Sequence, residues 1–138
     1  MARPKSRTQD CNRRDALNRL AQAEKFVEVA ELVLDDGNST TNPGVAAALA
    51  VLAGIAASDA ACCAKLGKRA RGQSHEEAKA ELETVAPCGS EMAKDLGRLL
   101  QRKNDSHYGI AFVSEGDARD MVGWAKRLLM MARAAVEA

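Results

Sequence analysis

The chain is poor in aromatic residues, which make up 3% of its 138 residues: one Trp, one Tyr and two Phe. Alanine is abundant instead. Because β-strands favour aromatic and β-branched side chains, this composition argues against a sheet-rich fold. The hydrophobic content of 46% is high enough for a folded chain, and the length corresponds to one domain.

The chain also lacks a strong net charge, a zinc-ligand pattern and a secretory signal. With a net charge of +1, any contact with nucleic acid has to come from local basic patches. The four cysteines show no spacing typical of a metal site, so we expect neither a metal nor another cofactor. We expect reduced thiols in the cytoplasm, with Cys62 and Cys63 in the core of an apolar helix.

Long apolar runs are scarce as well. The longest segment without a polar side chain covers residues 44–57, which is 14 residues. A membrane-spanning helix needs ~20 apolar residues, so this segment predicts a buried core helix and no membrane partner. We expect it to be the most buried helix of the fold, with Leu52, Ile55 and Cys62 largely shielded from solvent.

Apolar residues recur at steps of three and four, which predicts helices. The recurrence predicts a buried stripe from Ala16 to Leu34 in the first helix and another from Ala118 to Ala135 in the last. The predicted helices cover about residues 13–34, 42–66, 75–85, 90 onwards and 115–136. Asn42 with Pro43, Ser74 with Glu77, and Ser114 with Asp117 mark helix starts, while Gly37 and Gly67 mark helix ends. We predict an all-α, up-and-down four-helix bundle with an additional short helix.

The predicted domain organisation has two parts. Residues 1–12 are polar and carry three basic side chains, which indicates a flexible basic N-terminal arm. Residues 13–138 form the single helical-bundle domain.

The segment 102–108 carries the most distinctive chemistry. Four residues separate Arg102 from His107, and Tyr108 follows directly. Arginine binds phosphate through a planar fork of donors, and histidine transfers protons near neutral pH. On an unbroken helix the two side chains would point ~140° apart, whereas Lys103 and His107 would be only ~40° apart. Arg102 and His107 can therefore share one phosphate only if the helix breaks between them or a second subunit takes part, and otherwise Lys103 is the cationic partner. We expect a distortion or break at residues 104–106, because Asn, Asp and Ser side chains compete for backbone hydrogen bonds.

A wider basic patch surrounds this element in the sequence. Lys94, Arg98 and Arg102 step by four along the fourth helix. A second cluster follows the second helix, at Lys65, Lys68, Arg69 and Arg71. Together they would follow a nucleic-acid backbone, or they are an ordinary solvated face.

Asp59 is the exceptional charged residue in the apolar second helix. A buried carboxylate needs a partner. We expect either a partner from the fourth helix, namely Arg102, Lys103 or His107, or exposure of the carboxylate beside a loop.

With these residues in view, the chain resembles the HEPN (higher eukaryotes and prokaryotes nucleotide-binding) domain family. The similarity covers about residues 14–136. It is carried by the Arg-x4-His element with its tyrosine, and by the alanine-rich run at 53–60. The segment at 107–114 is similar to a small actinobacterial branch of the family.

The resemblance implies a single-domain helical bundle of the HEPN type and two alternative functions. In one, the chain is a metal-independent endoribonuclease of a toxin or defence system, with Arg102 and His107 as the catalytic pair of a homodimer. A nucleotidyltransferase-type protein would then be its partner. In the other, the chain is a non-catalytic dimeric module that binds a nucleotide or a partner protein. A plain dimeric bundle with a structural His107 is a third reading.

Overall fold

Helices form most of the fold. The structure, a computed structural model, describes residues 8–36, 42–71, 75–106 and 113–138. These ranges contain α1 (Arg13–Asp36), α2 (Asn42–Leu66), α3 (His75–Glu83), α4 (Gly89–Ser106) and α5 (Glu115–Glu137), together with strands β1 (Thr8–Asp10) and β2 (Lys68–Ala70). The predicted all-α bundle is confirmed.

The helices α1 and α2 run antiparallel, and a polar contact near each end fixes their register. Near one end, Arg19 binds Asp59. Near the other end, the side-chain amide of Asn42 donates to the carbonyl of Val33.

The remaining long helices continue this alternation of directions. Helix α5 runs antiparallel to both α1 and α4, as its cross-helix pairs show: Arg13 with Val136, Glu24 with Arg133, Glu31 with Lys126, Asp95 with Arg127 and Arg102 with Asp117. The bundle therefore has the up-down-up-down order that the sequence predicts.

Helix α2 is the central element, packed most extensively against α1 and α5. By length and composition alone it is apolar enough to cross a membrane, yet 72% of its most apolar stretch is buried inside the bundle. Its small residues allow close packing. A Cβ at Gly54 would lie 2.5 Å from the Leu99 side chain of α4. The prediction of a buried core helix is confirmed.

One predicted core position in α2 is wrong. Cys62 is buried, at 2% exposure, and Ile55 is partly buried, but Leu52 is 46% exposed. Because α2 is apolar nearly all round, its sequence does not show which side faces solvent. Leu52 lies on the side that the other described helices leave open.

Several helix ends follow local sequence signals. The Ser114 hydroxyl accepts from the backbone N–H of Asp117, as predicted. Helix α2 ends at Leu66, and the Gly67 that follows has a φ of 70°, in the left-handed region that glycine tolerates. Gly37 and Ser74, which mark a further end and a further start, lie outside the described residues.

The predicted flexible arm is wrong for its last residues. Thr8–Asp10 pairs antiparallel with Lys68–Ala70, and Cys11 forms a disulfide with Cys63 at the end of α2. Asn12 then caps α1, exchanging hydrogen bonds with Asp15. The segment is polar but paired, and pairing between distant segments leaves no mark in local composition.

The predicted break in the fourth helix does not occur at residues 104–106, because α4 is helical through Ser106. Asn, Asp and Ser disfavour helix by less than ~1 kcal/mol each, and the packing of α4 outweighs so small a preference. His107 and Tyr108 lie outside the described residues.

Candidate functional site

Two arginines of α4 lie over the single tryptophan. The guanidinium carbons of Arg98 and Arg102 are 5.8 and 6.0 Å from the centre of the Trp124 ring. A cation over an aromatic face is attracted by the electron density of the ring. Trp124 of α5 therefore attracts both side chains of α4.

Carboxylates orient the same arginines. Asp95 is 2% exposed and accepts two hydrogen bonds from Arg127, of 2.8 and 2.6 Å, and one of 3.4 Å from Arg98. Arg102 forms an ion pair of 3.5 Å with Asp117. The hydrogen bond to Asp95 raises the pKa of Arg127. Three arginines and two aspartates make this face weakly positive rather than strongly basic.

The predicted row of basic residues on α4, namely Lys94, Arg98 and Arg102, is only partly exposed to solvent. Lys94 is exposed, whereas Arg98 and Arg102 are partly buried beside Trp124. Lys103 is partly buried as well. Since α4 is unbroken through Ser106, Arg102 and Lys103 point in different directions, and Arg102 lies against α5.

Asp59 pairs with arginines of α1 and β2. Its Oδ2 atom accepts hydrogen bonds of 3.1 and 2.8 Å from Arg19, and one of 2.8 Å from Arg69. The partners that the structure gives Asp59 therefore lie on α1 and β2 rather than on the fourth helix, while His107, one of the expected partners, lies outside the described residues. The expectation of a solvated carboxylate is wrong, since the side chain is 10% exposed. Asp59 binds α1 and β2, and α4 approaches this part of α2 with the apolar side chains of Leu96 and Leu100.

A cavity of about 190 Å³ adjoins this ion cluster. Its polar lining consists of Arg19, Ser58, Asp59, Arg69 and Arg71, and its apolar lining of Ile55, Ala70, Ala78, Leu96 and Leu100. Arg19 and Arg69 also line a second cavity of about 180 Å³, whose wall includes the Cys11–Cys63 disulfide.

The predicted basic cluster after α2 is divided by the fold. Arg69 turns inward to Asp59 and also donates to Gln9 of β1. Lys68 is 4.0 Å from Glu81 of α3. Arg71 is exposed and has no ion pair within the part of the chain that the structure describes.

Sequence reasoning missed Arg19, although a signal was present. Arg19 directly precedes Leu20 of the buried stripe of α1, at the edge of the apolar face. An arginine at such an edge and a carboxylate inside an apolar helix are complementary charges. Only the α1–α2 register shows that they meet.

The prediction of reduced thiols is wrong for Cys11 and Cys63, which are joined by the disulfide. Pairing of β1 with β2 brings these residues together across 52 positions of sequence. Among the described residues, Cys62 and Cys88 are free. Burial, followed by the charge of Asp59, raises the pKa of the Cys62 thiol to about 12, which leaves it protonated and unreactive.

No protein-family model, curated protein or solved structure matches this chain. Within the described ranges, no group of three or more His, Cys, Asp or Glu side chains is placed to hold a metal ion. The sites above therefore rest on the geometry of this molecule.

We expect Asp59→Ala to lower the free energy of unfolding by about 3 kcal/mol, because it leaves two arginines facing each other without their shared carboxylate. This value is at the low end of the range for a broken buried pair, since Arg19 and Arg69 are 28% and 33% exposed. Urea unfolding measures the change. The control is Asp120→Ala, an exposed position on α5. A loss for Asp59→Ala no larger than that of the control would contradict a structural role for the cluster.

Proposed function

We propose that the protein is a metal-independent endoribonuclease of the HEPN type, with Arg102 and His107 as its catalytic pair. The observation that supports this most is the placement of Arg102. Its guanidinium is accessible near the end of α4, yet Asp117 and Trp124 hold it in position. A donor positioned in advance stabilises charge without a reorganisation cost during the reaction. His107 follows in the sequence five positions later.

The proposed reaction is attack of an RNA 2′-hydroxyl on the adjacent phosphate. The 2′-oxygen forms a bond to phosphorus, and the bond from phosphorus to the 5′-oxygen breaks. His107 takes the proton of the 2′-hydroxyl, and the imidazolium formed returns a proton to the leaving 5′-oxygen, so that the products are a 2′,3′-cyclic phosphate and a 5′-hydroxyl. Arg102 stabilises the negative charge of the phosphorane-like transition state. Arg98, which shares the Trp124 ring with Arg102, would contact a neighbouring phosphate.

The proposed assembly is a homodimer in the cytoplasm, where an RNA substrate is found. Each protomer supplies one arginine and one histidine, and an isologous contact brings the two copies together. A nucleotidyltransferase-type protein is the proposed partner in a toxin or defence setting.

A second candidate function is a non-catalytic module that binds a nucleotide or a partner protein. The ion pair of Arg102 with Asp117 favours it, because a neutralised arginine is typical of a structural network. Both carboxylates near Trp124 reduce the attraction of this face for RNA. The two functions differ in whether the protein cleaves RNA.

We expect His107→Ala to abolish RNA cleavage while the protein stays folded. Arg102→Ala should slow cleavage by ~10²–10³, the loss typical of one transition-state donor. Lys103→Ala should matter less, and EDTA should have no effect. Cleavage of a broad RNA set measures the activity, and sedimentation at tens of micromolar measures the oligomeric state. Arg119→Ala is the matched control, since Arg119 is an exposed arginine paired within α5.

Two results would redirect the proposal. A severe Lys103→Ala variant with a mild Arg102→Ala variant would make Lys103 the functional cation. A dimeric wild-type protein that leaves every RNA intact would replace the nuclease with the binding module.

A further inference from the structure

The cavity beside Asp59 has an excess of positive charge. Among the described residues that line it, Arg19, Arg69 and Arg71 contribute three guanidinium groups, and Asp59 contributes the single carboxylate. Asp10 and Asp15 line the neighbouring cavity instead. Asp15 is engaged there by the backbone N–H of Asn12. The cavity itself thus has a formal charge of +2.

The guanidinium groups keep donors to spare. Arg19 and Arg69 both bind the Oδ2 atom of Asp59, so two like charges converge on one carboxylate oxygen. Each guanidinium has five N–H donors, and these contacts use only part of them. A second anion would accept further hydrogen bonds and relieve the repulsion between the arginines.

The cavity is small, and apart from Ser58 the rest of its described lining is apolar. Ile55, Leu96 and Leu100 contribute aliphatic side chains, together with two alanines. Its volume of about 190 Å³ is below the range of about 300–1,000 Å³ typical of drug-sized ligands. The occupant it fits therefore combines one oxyanion with a compact apolar body, such as a single ring.

We propose that this cavity binds a small organic oxyanion, with its carboxylate or phosphate on the arginines and its apolar body against Ile55, Leu96 and Leu100. The site is separate from Arg102 and does not depend on the proposed nuclease activity. Arg71 is the residue best suited to test it. It is exposed and has no ion pair in the described ranges, so its replacement should leave the fold intact.

Calorimetric titration of the full chain with four probes tests the proposal. Benzoate and phenyl phosphate carry the two oxyanion types on one ring. Benzamide keeps the ring without the charge, and inorganic phosphate keeps the charge without the ring. We expect one or both ring oxyanions to bind, and to bind more tightly than either reference. Their relative affinity distinguishes a carboxylate from a phosphate ligand.

Variants then locate the binding. Arg71→Ala should weaken it by about tenfold or more, the loss expected for one charge-assisted hydrogen bond, and Arg71→Lys should weaken it less. Arg119→Ala removes an exposed arginine outside the cavity and should change nothing. Melting temperatures of the variants confirm folding. Absence of binding by both ring oxyanions overturns the proposal. So does equal binding of benzamide or inorganic phosphate, or equal effects of Arg71→Ala and Arg119→Ala.

Discussion

Reduction of the Cys11–Cys63 disulfide should lower the free energy of unfolding by about 4 kcal/mol. The bond joins residues 52 positions apart, so it restricts the unfolded chain strongly. It also holds β1 beside β2, and with it the contact of Gln9 with Arg69. Unfolding in urea with and without a dithiol reductant measures the difference.

The control for this experiment is the Cys11→Ser, Cys63→Ser double variant. Its stability should match that of the reduced protein and should not respond to the reductant. Cys62 and Cys88 are free thiols. Repeating the measurement on a variant in which both are replaced by serine excludes disulfide exchange. A reductant effect below about 1 kcal/mol would show that the cross-link contributes little in solution.

Leu99→Ala should lower the free energy of unfolding by about 4 kcal/mol, since it leaves a cavity between α2 and α4. Leu99 is fully buried, and its side chain fills the space above Gly54. Neighbouring helices can close such a space only in part.

Leu52→Ala is the matched control, because it removes the same atoms from a side chain that is 46% exposed. We expect it to cost about 1 kcal/mol or less. Thermal and urea unfolding of both variants measure the contrast. Similar losses would mean that Leu52 is covered in solution, for example by a second copy of the chain.

The elements of this fold with a clear periodicity could be predicted from sequence. The predicted stripe of α1, from Ala16 to Leu34, is the buried face of that helix. The stripe of α5, from Ala118 to Ala135, is buried as well. Both helices have a polar side that leaves one orientation toward the core.

The wrong predictions for Asp59, the N-terminal arm and the cysteines concern contacts between separate segments of the chain. The sequence indicates that Asp59 is exceptional, but its partners Arg19 and Arg69 lie 40 and 10 residues away. The pairing of β1 with β2 and the disulfide have the same origin. The catalytic roles of Arg102 and His107, and the resemblance to the HEPN family, stay predictions.

The alanine-rich core of α2 has a consequence for how the protein tolerates change. Alanine loses no rotamer freedom on folding, so burying Ala46, Ala50, Ala53, Ala57 and Ala60 costs no side-chain entropy. Because these side chains are already small, substitutions that shorten them remove few atoms. Larger side chains at the same positions would force α1 and α5 apart, and overpacking of this kind is destabilising. We therefore expect α2 to tolerate least the substitutions that increase side-chain volume, whereas α4 tolerates least those that decrease it.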